Sequence, residues 1–174
     1  MPALQRHPDF PCAALSGIEV DVGRSARGQL ALRYRLSGVT DALMLTSGPA
    51  VRTDELWRHT CLEAFIQAAP DASYRELNLA PGGAWAAYRF DGYRAGMANA
   101  EVDPPQVWAS AANDITVAWM LDLPADRPWR IGACAVIEEV GGRLSYWALA
   151  HPPGKPDFHH PDGFGLQLPA PEAP

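Results

Sequence analysis

A chain of 174 residues with 48% apolar residues is long enough for one domain with a real core, while a net charge of -6 with cations scattered along the chain excludes a duplex nucleic-acid partner. No stretch approaches the roughly 20 apolar residues of a membrane-spanning helix, and the start, MPALQRHPDFPC, lacks an apolar run behind a basic end, so a soluble cytoplasmic protein without a membrane partner is expected. Cys12, Cys61 and Cys134 stand far apart, with neither C-x-x-C spacing nor an even count, which predicts reduced thiols and no structural zinc site.

Taken in order, the chain alternates apolar and polar residues over 18–22 (IEVDV) and 30–36 (LALRYRL), the period-2 pattern of strands with one buried face. Residues 53–59 (TDELWRH) read as a helical turn with Thr53 as N-cap. Strand patterns return at 61–67, 74–79, 84–90, 107–112, 115–121, 129–138 and 143–149, with Asn113-Asp114 and Gly141-Gly142 placed for tight turns. Residues 91–106 form the longest unpatterned connection, and a Pro/Ala-rich tail at 169–174 is expected to fray. About nine short strands with Gly/Pro turns predict an all-β fold: one antiparallel β-sandwich domain over 1–168, with at most one or two helical turns.

The central hairpins suggest which side chains share a face. Setting Leu62, Ala64 and Ile66 beside Leu77 and Leu79 pairs residue 63 with 76, so Glu63 and Glu76 stand opposite each other. A symmetrical turn at 80–83 then pairs 78 with 85 and 74 with 89. That register sends Ala84, Ala86, Tyr88 and Phe90 to the core and gathers Glu63, Glu76, Asn78, Trp85, Arg89 and Cys61 on the other face. Opposed carboxylates repel by roughly 0.2–1 kcal/mol and need a partner, for which Arg89, Arg58, His59, a bound cation or a shared proton are available. A plain solvated face is the alternative, but it would carry more Lys, Thr and Ser. An indole among carboxylate, amide and guanidinium groups suits a sugar or another small polar ring.

WRHTCLEAFIQ, YRELNLAPGGAWAAYRFDGYRAGM and ALAHPPGKPDFHHPDGFGL together resemble bacterial DOMON-like proteins, relatives of the family 9 carbohydrate-binding modules. The most specific part is the acidic strand followed by a Y-x-E-x-N-x-x-P-x-G hairpin: Tyr74, Glu76, Asn78, Pro81 and Gly83. The resemblance implies a DOMON-like, jelly-roll-like β-sandwich that binds sugar or haem. For sugar it implies Glu63, Glu76 and Asn78 as polar contacts and a tryptophan, Trp85 or Trp57, as stacking surface. For haem it implies a Met and a His as axial ligands, here Met97 with His151, without a C-x-x-C-H attachment motif.

Near the end, His151, His159 and His160 stand among prolines with Asp157 and Asp162. Adjacent histidines point to opposite sides of an extended chain, so His159 and His160 cannot both aim at one site. The segment reads as a strap packing Phe158 and Phe164 into the sandwich, with His151 best placed to reach a site. Paired glutamates also raise glycoside hydrolysis, but a pair held on one sheet ladder is poorly placed to flank a substrate. Trp108, Trp119, Trp129 and Trp147 are expected in the core. The expectation is therefore a non-catalytic protein needing no cofactor, binding a small polar ligand, a carbohydrate foremost, through Glu63, Glu76, Asn78, Trp85 and Arg89, with Arg58, His59 and His151 nearby. Haem binding is the second reading and a hydrolase using Glu63 and Glu76 the third.

Overall fold

The computed structural model describes residues 1–45, 48–111 and 113–171. Its strands are β1 (Ala3–Arg6), β2 (Leu15–Arg24), β3 (Gln29–Gly38), β4 (Cys61–Ala68), β5 (Tyr74–Leu79), β6 (Trp85–Phe90), β7 (Ala98–Asn99), β8 (Gln106–Ala111), β9 (Asp114–Met120), β10 (Trp129–Glu138), β11 (Leu144–Ala148) and β12 (Leu166–Leu168). They join in the order β7-β6-β5-β4-β10-β11-β1-β2-β3-β9-β8, with β12 paired to β10. Every strand pair is antiparallel. No helix among the described residues is long and apolar enough to cross a membrane.

The all-β, antiparallel expectation holds, but the nine-strand sandwich is corrected to one continuous curled sheet of twelve strands. Short β1 makes the continuity: Gln5 and Arg6 pair with β11, while Ala3 and Leu4 pair with β2. The nine patterned segments are strands; β1, β7 and β12 are too short to show a period. Curling brings Val20, Leu30 and Leu32 into one core with Ile66, Leu77, Trp129 and Ile131, each such side chain contributing roughly 1.5–3 kcal/mol when fully buried. Trp119, Trp129 and Trp147 lie there as expected, whereas Trp108 on edge strand β8 is 53% exposed. Three 3-10 turns, Thr40–Ala42, Leu56–Arg58 and Pro161–Gly163, replace the one or two expected. Thr53 caps none of them; its hydroxyl donates to the Val51 carbonyl, and the turn at Leu56 follows Glu55 in a left-handed conformation. Of the expected strand and tail segments, Ala112 and residues 172–174 lie outside the described residues.

Register decides which side chains reach the second face of the β4–β6 region. Glu63 pairs with Asn78 and Phe65 with Glu76, two residues from the expected pairing, so each side chain keeps its face. The next hairpin differs by one. Leu79 pairs with Trp85 because the loop spans residues 80–84, closed by Ala80 N–H to the Ala84 carbonyl (2.8 Å), with Gly83 at φ +98°. An odd change exchanges faces: Trp85 and Ala87 enter the main core, while Ala86, Tyr88 and Phe90 join Phe65, Tyr74, Cys134 and Phe164 in a second cluster.

The closing segment covers that second cluster, so Phe158 and Phe164 pack outside the main core rather than within it. Phe164 seats over Gly132 of β10, where an added Cβ would stand 2.9 Å from its ring and 3.1 Å from the Gly163 carbonyl. Gly132→Val should therefore lift the strap and destabilise the protein by about 1–3 kcal/mol, the usual cost of overpacking. Urea denaturation checks this; an unchanged midpoint would show that the strap yields freely.

Candidate functional site

Between the second face of β4, β5 and β10 and the covering segments lies a cleft of about 390 Å³, lined by Glu63, Phe65, Glu76, Phe90, Val136 and Tyr146 from the sheet and by Trp57, Arg94, Met97, Pro156, Phe158 and His159 from the connections. Pleating explains the floor: alternate residues of β4 and β5 point away from the main core, and in each strand one of those is a glutamate. Both are only 3% exposed. Tyr34, from the opposite half of the sheet, donates to the Glu63 carbonyl at 2.7 Å and pins β4 from behind.

The carboxyls are diagonal neighbours on adjacent strands, and their surroundings differ. Glu76 Oε1 accepts from the Asn78 amide at 2.8 Å. Glu63 Oε1 and Asn78 Oδ1 are buried without a hydrogen-bond partner. Burial raises Glu63 well above the usual carboxylate range, and the charge of Glu76 pushes it further the same way. Burial raises Glu76 to about 7, against the opposing pull of the Asn78 hydrogen bond and the Arg94 charge. Burial thus holds both carboxyls of the floor above the usual carboxylate range, with Glu76 near its midpoint around neutral pH. Burial, with the Glu63 charge next, also keeps the adjacent Cys61 and Cys134 thiols protonated.

One wall is a hydrogen-bond chain. The Arg94 amide donates to the Tyr74 hydroxyl (3.2 Å), which in turn meets His159 Nδ1 at 2.8 Å. The Tyr74 hydroxyl thus links the Arg94 backbone to the His159 ring. Nε2 faces Glu76 Oε2 at 3.7 Å, too long for a direct hydrogen bond. Burial, helped by the Arg94 charge, pushes His159 down to about 4, so this contact is not an ion pair at neutral pH. Arg94 is held by Asp157 at 2.7 Å, and Tyr93 donates to the same carboxylate. Burial alone would raise Asp157, but the hydrogen bonds from Tyr93 and Arg94 outweigh it and hold it below the usual carboxylate range. The strap is thereby tied to the β6–β7 connection.

Of the expected site residues, Glu63, Glu76 and Asn78 are brought together. Trp85 and Arg89 are not with them: Trp85 is in the main core with Arg52 over its ring at 4.6 Å, and Arg89 is exposed beside Asp91. Arg58 pairs with Glu55 and His59 with Glu138, both along a separate depression of about 420 Å³ whose polar side chains are largely exposed. His151 lies outside the cleft, its Nε2 2.8 Å from the Gln5 carbonyl and its ring against His7. Met97 does line the cleft, but without His151. Trp57, the alternative stacking residue, does line the cleft, and Phe65, Phe90, Arg94 and His159 are among the lining residues that the expected site left out. The signal for Phe90 was the second glycine of the turn, which accommodates a longer loop. No group of three or more His, Cys, Asp or Glu among the described residues is placed to hold a metal ion.

No protein-family model matches the chain, and no curated protein matches it. Among solved structures, a candidate carbohydrate-binding protein from Bacteroides uniformis superposes with a TM-score of 0.61 over 93% of this chain and 84% of its own, at 14% identity. At that identity the likeness is one of fold.

The two titrating groups oppose each other in the pH dependence of stability. Glu76, with a raised folded-state pKa, lends stability that is full below the ordinary carboxylate range and lost as pH climbs through about 7. His159, buried neutral and pushed down to about 4, loses stability as pH falls below the ordinary imidazole range. Glu63, also raised, follows the sign of Glu76, and Glu76→Gln removes the Glu76 contribution while leaving the His159 trend. Its unfolding free energy relative to the parent should grow from pH 4.5 to 7.5 by on the order of 3 kcal/mol in urea titrations, and a difference independent of pH would contradict the burial of this acid.

Proposed function

We propose that the protein is a non-catalytic binding protein that takes a small carbohydrate in the cleft over Glu63 and Glu76. The observation that carries this is Glu63: its carboxyl lines an aromatic-walled cleft of about 390 Å³ and its Oε1 has no partner in the protein. An unanswered buried polar group is costly unless something enters to meet it. The volume suits a small ring, and Trp57, Phe90 and Phe158 offer apolar faces for it to pack on. The Bacteroides fold likeness and the resemblance to DOMON-like and family 9 carbohydrate-binding proteins favour the same reading. The free cysteines accord with a cytoplasmic setting.

Glycoside hydrolysis is less well served, because both carboxyls project from one sheet face instead of flanking a bond from two sides. Haem through Met97 and His151 finds no support, since His151 is engaged elsewhere.

Titration with a glycan panel, followed by tryptophan fluorescence, tests the proposal. A responding sugar should bind Glu63→Gln about tenfold or more weakly, while Arg89→Ala, on the far face, should bind within about twofold of the parent. No response across the panel would remove the carbohydrate reading.

A further inference from the structure

The acids on the cleft floor form no ion pair with a lysine or arginine among the described residues, although the Arg94 charge pulls on Glu76. Among the described residues no lysine or arginine pairs with Glu63, and Glu76 meets the Asn78 amide and, at 3.7 Å, the edge of a histidine. Arg94 at the rim is already engaged by Asp157, so its charge is offset there. Protein interiors normally pair buried acids with a cation of their own. Here Glu63 lies 3% exposed with Oε1 unpartnered, in a cleft walled by the rings of Trp57, Phe65, Phe90 and Phe158. Carboxylates below and aromatic side chains around are the two features that bind an organic ammonium. No group of three or more His, Cys, Asp or Glu among the described residues could hold a metal ion, so the floor suits such a cation better.

We infer that the ligand carries an ammonium group, held by Glu63 and Glu76 against the aromatic walls, and that the carbohydrate is an amino sugar. The sugar part of this rests on the function proposed above; the ammonium site rests on the acids and rings alone. Binding makes and breaks no covalent bond. The incoming positive charge replaces a proton on the carboxyl pair, and that proton passes to solvent. Affinity for a permanently charged ammonium should therefore rise with pH through about 7, the midpoint of Glu76. The other groups facing the pair do not titrate in that window. His159, pushed down to about 4, is already neutral, while Cys61, Cys134, Tyr74 and Tyr88 are all raised by burial. Asp157 and Arg94 keep their charges, one shifted down and the other up.

Calorimetry with four probes tests this: glucosamine, glucose, N-acetylglucosamine and cyclohexylammonium, whose charge persists across the range much as that of a lysine, with its ordinary pKa of about 10.4, does. At pH 7 glucosamine should bind about tenfold more tightly than glucose or N-acetylglucosamine. Cyclohexylammonium should bind several-fold more tightly at pH 8 than at pH 6, and buffers of different ionisation enthalpy should reveal proton release. Glu76→Gln should remove the glucosamine preference. Equal binding of glucose and glucosamine would overturn the ammonium site and leave the carbohydrate reading standing. Binding of cyclohexylammonium without any of the sugars would keep the ammonium site and remove the sugar. Silence from all four would remove both.

Discussion

Strands β4, β5 and β10 are covered on both faces, and the rest of the site follows from that. One face packs into the core shared by the two halves of the curled sheet; the other lies under the strap and the turn at Leu56. A strand covered on one side sends its polar alternate residues into water at little cost. Covered on both, it must satisfy them inside the protein or leave them costly. Asn78 half satisfies Glu76, and Glu63 goes without a side-chain partner for Oε1. The burial that stabilises the sheet thus also holds its acids in the protonated range and prepares them for a ligand.

The cover is attached by specific chemistry. Phe164 fills the space that Gly132 leaves open on β10, and Asp157 is gripped by Arg94 and Tyr93 from the β6–β7 connection. Tyr74 joins the two attachments by meeting both the Arg94 amide and His159. The ring of His159 is therefore fixed in direction by the contacts that hold the strap down. Whatever enters the cleft meets a neutral imidazole edge, an acid pair and apolar rings, and the charged pair of Arg94 and Asp157 stays near the rim.

Strand identity was legible because alternation is a local property: IEVDV and LALRYRL announce their faces without a partner. The grouping of Glu63, Glu76 and Asn78 was legible for the same reason and survived a two-residue error in pairing. Trp85 and Arg89 were misplaced because face assignment across a hairpin depends on whether the loop is odd or even, and Ala80-Pro81-Gly82-Gly83-Ala84 closes one residue later than a symmetrical turn would. The near-continuous burial of β5, where the polar Glu76 and Asn78 are as buried as Leu77 and Leu79, reflects a cover supplied some 80 residues later, which no local pattern contains. His159 was singled out with its neighbour only as an either-or; the strap turns His159 inward, while His160 caps the turn at Pro161.

Two carboxyls stay protonated above their usual range because the fold buries them without a lysine or arginine ion pair among the described residues. A carbon-detected NMR titration of the glutamate side chains in the unliganded protein reads this directly. Glu76 should titrate with a midpoint near 7, and Glu63 well above the ordinary carboxylate range. Titration of both in the ordinary carboxylate range, near 4.3, would show that the floor is open to water and would contradict the account.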